Sequence, residues 1–120
     1  MKHSILITVL LVAAFPALAG GNAERGKALY QSKCAACHSI DYNGVGPAHK
    51  ALWGRKAGSQ AEFHYSDALK NSAVIWNETA IDKWLSNPEK FIPGQKMGFS
   101  VASSKERADL IAYLKIATQP

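Results

Sequence analysis

Hydrophobic positions fall into one continuous run followed by several short segments of helical spacing. The run, Ile5 to Ala19, follows Lys2 and ends in Ala17-Leu18-Ala19, which is the charged start, apolar middle and small-residue cleavage site of a secretory leader. It is too short for a membrane span, which needs about 20 apolar residues, and no cysteine stands at the cleavage point to carry a lipid. Residues 1–19 are therefore expected to be removed as a signal peptide, leaving one domain over residues 20–120. Within that domain Ala23, Gly26, Tyr30 and Cys34 share a helical face, Asn22 precedes them as a cap, and Glu24 sits beside the positive end of the helix dipole. Near the other end Ser103 and Glu106 form a capping box for a helix whose Leu110, Leu114 and Ala117, flanked by Ile111 and Tyr113, make an apolar stripe. Gly26 has no side chain, so the last helix could cross the first there and bring Leu110 and Tyr113 edge-on to Tyr30; packing of each helix elsewhere fits the spacing equally well. Between them Thr79 is expected to cap a helix that turns Ile81, Trp84 and Leu85 inward and stops at Asn87-Pro88. A shorter turn is expected after Ser66. No segment alternates with the two-residue period of a strand, so the expected class is all-α.

Composition narrows the picture. A chain of 120 residues that is 48% hydrophobic and 19% charged is neither disordered nor multidomain, and no repeat or low-complexity tract interrupts it. A domain of this size leaves much of its surface exposed and commonly relies on a cross-link or cofactor for stability. The formal charge of +5, which becomes +4 once Lys2 leaves with the leader, is modest and spread along the chain, so nucleic acid is not an expected partner.

The two cysteines carry the chemistry. They stand in Cys34-Ala35-Ala36-Cys37-His38. Residues three apart share a face of a helical turn, so both sulfurs can reach the two vinyl groups on one edge of a haem, with His38 beneath the iron as an axial ligand. A thioredoxin-type pair would need a βαβ setting and a zinc site two further ligands, and neither is visible. One motif implies one haem. Met1 leaves with the leader, so Met97 is the one thioether available for the second axial position. It lies in a Pro- and Gly-rich stretch, Phe91 to Gly98, where helix cannot be continuous and a loop could drape over the far face. His49, His64 or a lysine remain competing ligands.

Beyond that motif the chain carries Gly46-Pro47, Trp53-Gly54-Arg55-Lys56, Trp76, Asn87-Pro88, Ile92-Pro93-Gly94, Lys96-Met97, Phe99 and Leu110-Ile111-Ala112-Tyr113 in order. In this it resembles the class I c-type cytochromes, of the mitochondrial cytochrome c and bacterial cytochrome c2 kind, from about Glu24 to Ala117. The resemblance implies an all-α cytochrome c fold wrapped around one haem c bound through Cys34 and Cys37, with His38 and Met97 axial. It also implies that the Pro47 carbonyl accepts the other imidazole N–H of His38. By the same resemblance Arg55, Tyr65 and Trp76 face the haem propionates, which need donors when turned inward.

Departures from the family pattern are concentrated around the expected haem. The stretch from Ser39 to Gly46 is shorter than in mitochondrial members. His49 replaces an apolar residue; it is expected to turn to solvent, the alternative being a titratable dipole placed near the ring, and His64 is expected to turn to solvent. Trp84, Leu69 and Gln95 stand where mitochondrial members place a tyrosine, an asparagine and a threonine around a buried water, so that network cannot be intact. Glu89 replaces a docking lysine. The function implied is a soluble, monomeric one-electron carrier in the periplasm, not an enzyme. It would dock reductase, oxidase or cytochrome-complex partners at the exposed haem edge, steered by Lys27, Lys33, Lys50, Lys56, Lys90 and Lys96. A haem subunit of a larger periplasmic dehydrogenase or oxidase complex is the alternative; a peroxidase or gas-binding protein would require Met97 to be off the iron.

Overall fold

In the computed structural model Leu11 and residues 20–120 are described; the leader expected over residues 1–19 lies, Leu11 apart, outside them. Among the described residues five helices carry the fold: α1 (Ala23–Lys33), α2 (Asp67–Lys70), α3 (Glu78–Ser86), α4 (Pro88–Phe91) and α5 (Ser104–Ala117). Among the described residues the one β pairing is an isolated antiparallel bridge between Lys56 and Ile75, so the all-α expectation holds.

The helix starts follow local chemistry. Asn22 accepts the Arg25 N–H and opens α1, with Glu24 in its first turn and Lys33 in its last. Ser66 caps α2 by accepting from Leu69. Ser103 accepts the Glu106 N–H at 3.2 Å; the Glu106 carboxylate lies 3.6 Å from Lys33. For α3 the expectation needs correction. Asn77, not Thr79, is the cap: its carboxamide accepts the Ala80 N–H at 2.9 Å, its backbone is extended, and the helix starts two residues earlier than expected, leaving Thr79 exposed within the first turn. Asn87 ends α3 and also caps α4, whose first residue is Pro88. Proline suits that position because its missing N–H would be unpaired there anyway. The sequence reading placed a stop at Asn87-Pro88 and missed the single turn that follows.

The terminal helices do cross at Gly26. A Cβ there would lie 1.9 Å from the Asp109 carbonyl oxygen, so only glycine permits the approach. Asp109, buried on α5, accepts the Asn22 N–H at 2.7 Å and Arg25 Nε at 3.0 Å. The Arg25 guanidinium and the Asn22 N–H hold its carboxyl below the usual range. Tyr30 meets Tyr113 with ring centroids 5.3 Å apart, tilted by 55°. α5 also packs on α3, and α3 on α4. Leu110 is 1% exposed at the centre of a core that includes Tyr30, Leu52, Leu69, Trp76, Ile81, Leu85, Ile92 and Leu114. The helices thus form a frame, and the long connections 34–66 and 92–103 are hung inside it.

Candidate functional site

α1 ends at Cys34, whose N–H still donates to the Tyr30 carbonyl. One more turn follows: the N–H groups of Cys37 and His38 both donate to the Cys34 carbonyl, at 3.1 and 2.9 Å. That turn sets Cys34, Cys37 and His38 on the wall of one cavity of about 440 Å³. Neither sulfur is in a disulfide. Burial pushes the Cys34 thiol up to about 11, so it is protonated at neutral pH before any bond is made to it. Pro47, Arg55, Tyr65, Trp76 and Met97 line the same cavity, so the structure brings all eight candidate residues together. Much of its wall is apolar, with Leu52, Leu69, Ile81, Leu85, Leu110 and Leu114 on it.

His38 Nδ1 donates to the Pro47 carbonyl at 2.9 Å, which fixes the tautomer and leaves the Nε2 lone pair available to a metal. Burial pulls the imidazole below its ordinary pKa, favouring that neutral form. Gly46 lies against the ring so closely that a Cβ would sit 2.2 Å from His38 Cε1. Beside this imidazole is a residue whose placement the sequence reading got wrong. His49 does not turn to solvent: it stacks on His38 at 4.2 Å between centroids and 22° between planes, and its Nδ1 shares a hydrogen bond of 2.9 Å with the Tyr30 hydroxyl. The reason is Tyr30, 5% exposed, whose buried hydroxyl needs a partner. Burial, with His38 and Arg55 nearby, pushes His49 down to about 3, so it sits in the cavity uncharged. His64 is exposed at the cavity mouth, as expected.

Arg55 and Trp76 are far apart in sequence but fastened together by their backbones. Gly54 N–H donates to the Trp76 carbonyl at 2.7 Å and Trp76 N–H to the Arg55 carbonyl at 2.9 Å, next to the Lys56–Ile75 bridge. The Arg55 guanidinium donates through Nη1 to the Lys50 carbonyl at 2.6 Å and to Gln60, and through Nη2 to the Ala48 carbonyl at 3.1 Å. Its Nε is buried and unpartnered. Gln60, which nothing in the sequence singled out, accepts from Arg55 with its side chain and donates its N–H to the Tyr65 hydroxyl at 3.1 Å.

Met97 is half-buried in the loop that follows α4. The loop turns at Gly94, φ +90°, a conformation glycine takes without strain. Met97 N–H donates to the Gln95 side-chain oxygen at 2.6 Å, and the loop is tied down beyond it where Val101 N–H donates to the Leu85 carbonyl at 2.8 Å. Leu69 and Trp84 line the adjoining wall, with Trp84 edge-on to Trp76 at 5.5 Å.

A haem fits this donor set on the chain's own evidence. An apolar slot carries two thiols and a neutral imidazole at one segment, a thioether at another, and a buried guanidinium N–H still lacking an acceptor, as an inward carboxylate requires. Among the described residues no three His, Cys, Asp or Glu side chains gather as a protein-only metal site would need, and no helix is long and apolar enough to cross a membrane.

Comparison with known proteins agrees. The family model for cytochrome c matches residues 23–117. The cytochrome c of Gibberella zeae is 43% identical over 106 residues, covering 85% of this chain and all of the relative, and that of Euglena viridis is 43% identical over 98 residues, covering 79% and 96%. Among solved structures, cytochrome cH from Methylobacterium extorquens superposes with a TM-score of 0.76 at 41% identity, covering 80% of this chain and 99% of that one. The chain belongs to the cytochrome c family, with one haem c held covalently through Cys34 and Cys37.

Proposed function

We propose that this electron carrier works with both axial positions of its haem filled, by His38 and Met97, and that it is exported and acts as a free monomer in the periplasm once residues 1–19 are removed. The observation that supports it best is the shared cavity in which a His38 imidazole, its tautomer set by the 2.9 Å bond to Pro47, lies with the Met97 thioether and both cysteines. When bound, the haem supplies a one-electron ferrous–ferric couple, and a soft thioether sulfur favours the ferrous state. The protein's part is to hold and exclude. His38 keeps its Nε2 lone pair aimed by donating from Nδ1. Leu52, Leu69, Trp76, Ile81 and Leu85 keep water out of the crevice, so little solvent has to reorganise when charge changes. The unpartnered Arg55 Nε offers its proton to a propionate, with Tyr65 and Trp76 beside it on the same wall. No substrate is transformed.

Docking at the open edge of the cavity has two attractive elements. Lys33 and Lys96 line the mouth beside Val45, 80% exposed, and Phe99, 42% exposed. This small apolar patch flanked by two lysines suits a brief contact with an acidic redox partner. Lys33 shares its charge with Glu106, and Glu89 removes a positive site, so steering is weaker than in mitochondrial members. Spectra of the mature protein in both oxidation states test the ligation. A methionine–iron charge-transfer band and no carbon monoxide binding by the ferrous protein are expected. Met97→Ala should bind carbon monoxide readily and have a lower potential; ready binding by the unaltered protein, or an unchanged potential in Met97→Ala, would overturn it.

A further inference from the structure

Two of the departures from the family pattern touch each other. Glu89, in α4, stands where mitochondrial members have a docking lysine, and Gln95 where they have a threonine. In the structure the Glu89 carboxylate accepts the Gly94 N–H at 2.9 Å through one oxygen and the Gln95 side-chain N–H at 3.2 Å through the other. The second bond fixes which way the Gln95 amide faces. An ionised carboxylate can only accept, so the amide must give it the NH₂ group and turn its oxygen the other way, where it receives the Met97 N–H at 2.6 Å. Among the described residues that is the one hydrogen bond to the backbone from Lys96 to Ser100. The base of the strap is firm: Asn87 caps α4 by accepting the Lys90 N–H at 3.0 Å, and Ile92, buried, begins the loop.

We propose that Glu89 is a positioning residue for Met97: by orienting the Gln95 amide it holds the methionine segment against the cavity, in place of the internal network that Trp84, Leu69 and Gln95 cannot form. The proposal rests on the reading that Met97 binds the iron. It explains why an acidic residue stands in α4 at the cost of a docking charge, and it makes a polarity prediction that a general loosening of the loop does not. A lysine at position 89 can only donate; it would draw the Gln95 oxygen toward itself and turn the NH₂ group against the Met97 N–H, two donors face to face.

The test is the rate at which added imidazole displaces Met97 from the ferric holoprotein, a step that requires the methionine to leave first, followed by loss of the methionine–iron band. Glu89→Ala, which removes the bonds to both the Gly94 N–H and the Gln95 amide, should react about ten-fold faster than the unaltered protein. Glu89→Lys should be faster still. Combining Glu89→Lys with Gln95→Glu makes a different but complementary order, an ammonium donor and the Met97 N–H both donating to a carboxylate at 95, and should slow displacement back toward the original rate. Glu89→Ala added to Gln95→Ala should give less than the product of the two separate effects, because the Gln95 share of Glu89's action is already gone and only its bond to the Gly94 N–H remains to be lost. Unchanged rates in Glu89→Ala and Glu89→Lys, additive effects, or a Lys–Glu pair no slower than Glu89→Lys would overturn the proposal. If the unaltered protein lacks the band and takes imidazole as fast as Met97→Ala, the ligation reading fails and the proposal with it, an outcome told apart by the unaltered protein alone.

Discussion

The two walls of the haem cavity are held in different ways. On the His38 wall every contact is short-range in space and crowded: a helical turn from α1, Gly46 pressed against the ring, the Pro47 carbonyl on Nδ1, and His49 stacked on the imidazole and bonded to Tyr30. On the Met97 wall there is a loop with a glycine turn, one bond to Met97 N–H, and an exposed carboxylate behind it. The first wall is built by packing, the second by hydrogen bonds at the surface. Packing resists change because interiors have no spare volume; exposed hydrogen bonds open locally at small cost. The ligand on the packed wall should therefore be fixed, and the one on the strapped wall should set how readily the iron is reached.

Gly46→Ala attacks the packed wall most directly and should have the largest effect. Its Cβ has to displace the His38 ring, so a loss of about 3 kcal/mol in unfolding free energy and a disturbed low-spin spectrum are expected, measured by denaturant titration and absorption. An alanine variant with native stability and spectrum would show that this wall yields as easily as the other. His49→Leu comes next, leaving the buried Tyr30 hydroxyl without its partner at a cost of about 1–3 kcal/mol. Adding Tyr30→Phe should recover most of that loss, and a double variant no better than the single would remove the pair from the account.

On the strapped wall Gly94→Ala places a side chain at φ +90°, costing about 1–2 kcal/mol. Here the signature should be faster displacement of Met97 more than lost stability. The smallest effect is a control on both walls. Asp109 is held below its ordinary value of 3.8 by Arg25 and the Asn22 N–H, so the native state binds fewer protons than the unfolded one. Its stabilisation is present above about pH 4 and fades as the pH falls through the native value. Asp109→Asn should flatten that part of the acid stability profile and leave the spectrum alone.

How much was legible in the sequence depended on the range of the interaction. Asn22 and Ser103 cap their helices as read, and the turn expected after Ser66 opens there, because a cap is settled within three residues. Thr79 misled because Asn77 is an equally good cap two positions earlier, and the α4 turn was lost because Asn87-Pro88 is both an end and a beginning. The Cys34–His38 turn declared its chemistry outright. His49 could not be placed from its neighbours, since the hydroxyl that draws it inward belongs to Tyr30 on α1. The apolar face that buries Tyr30 was visible, and asking where its hydroxyl would find a partner was the available signal. That Arg55 and Trp76 serve one site came through resemblance alone, while their backbone joining and the pairing of Glu89 with Gln95 are matters of loop path that no local pattern encodes.

Closure at Gly26 has a consequence in time. The clasp joins Asn22 and Gly26 to Asp109, 87 residues beyond Asn22, so it cannot shut until α5 has been made. Until it closes, α1 lacks the packing partner that α5 provides, and the cysteines stand at the end of an unpaired helix.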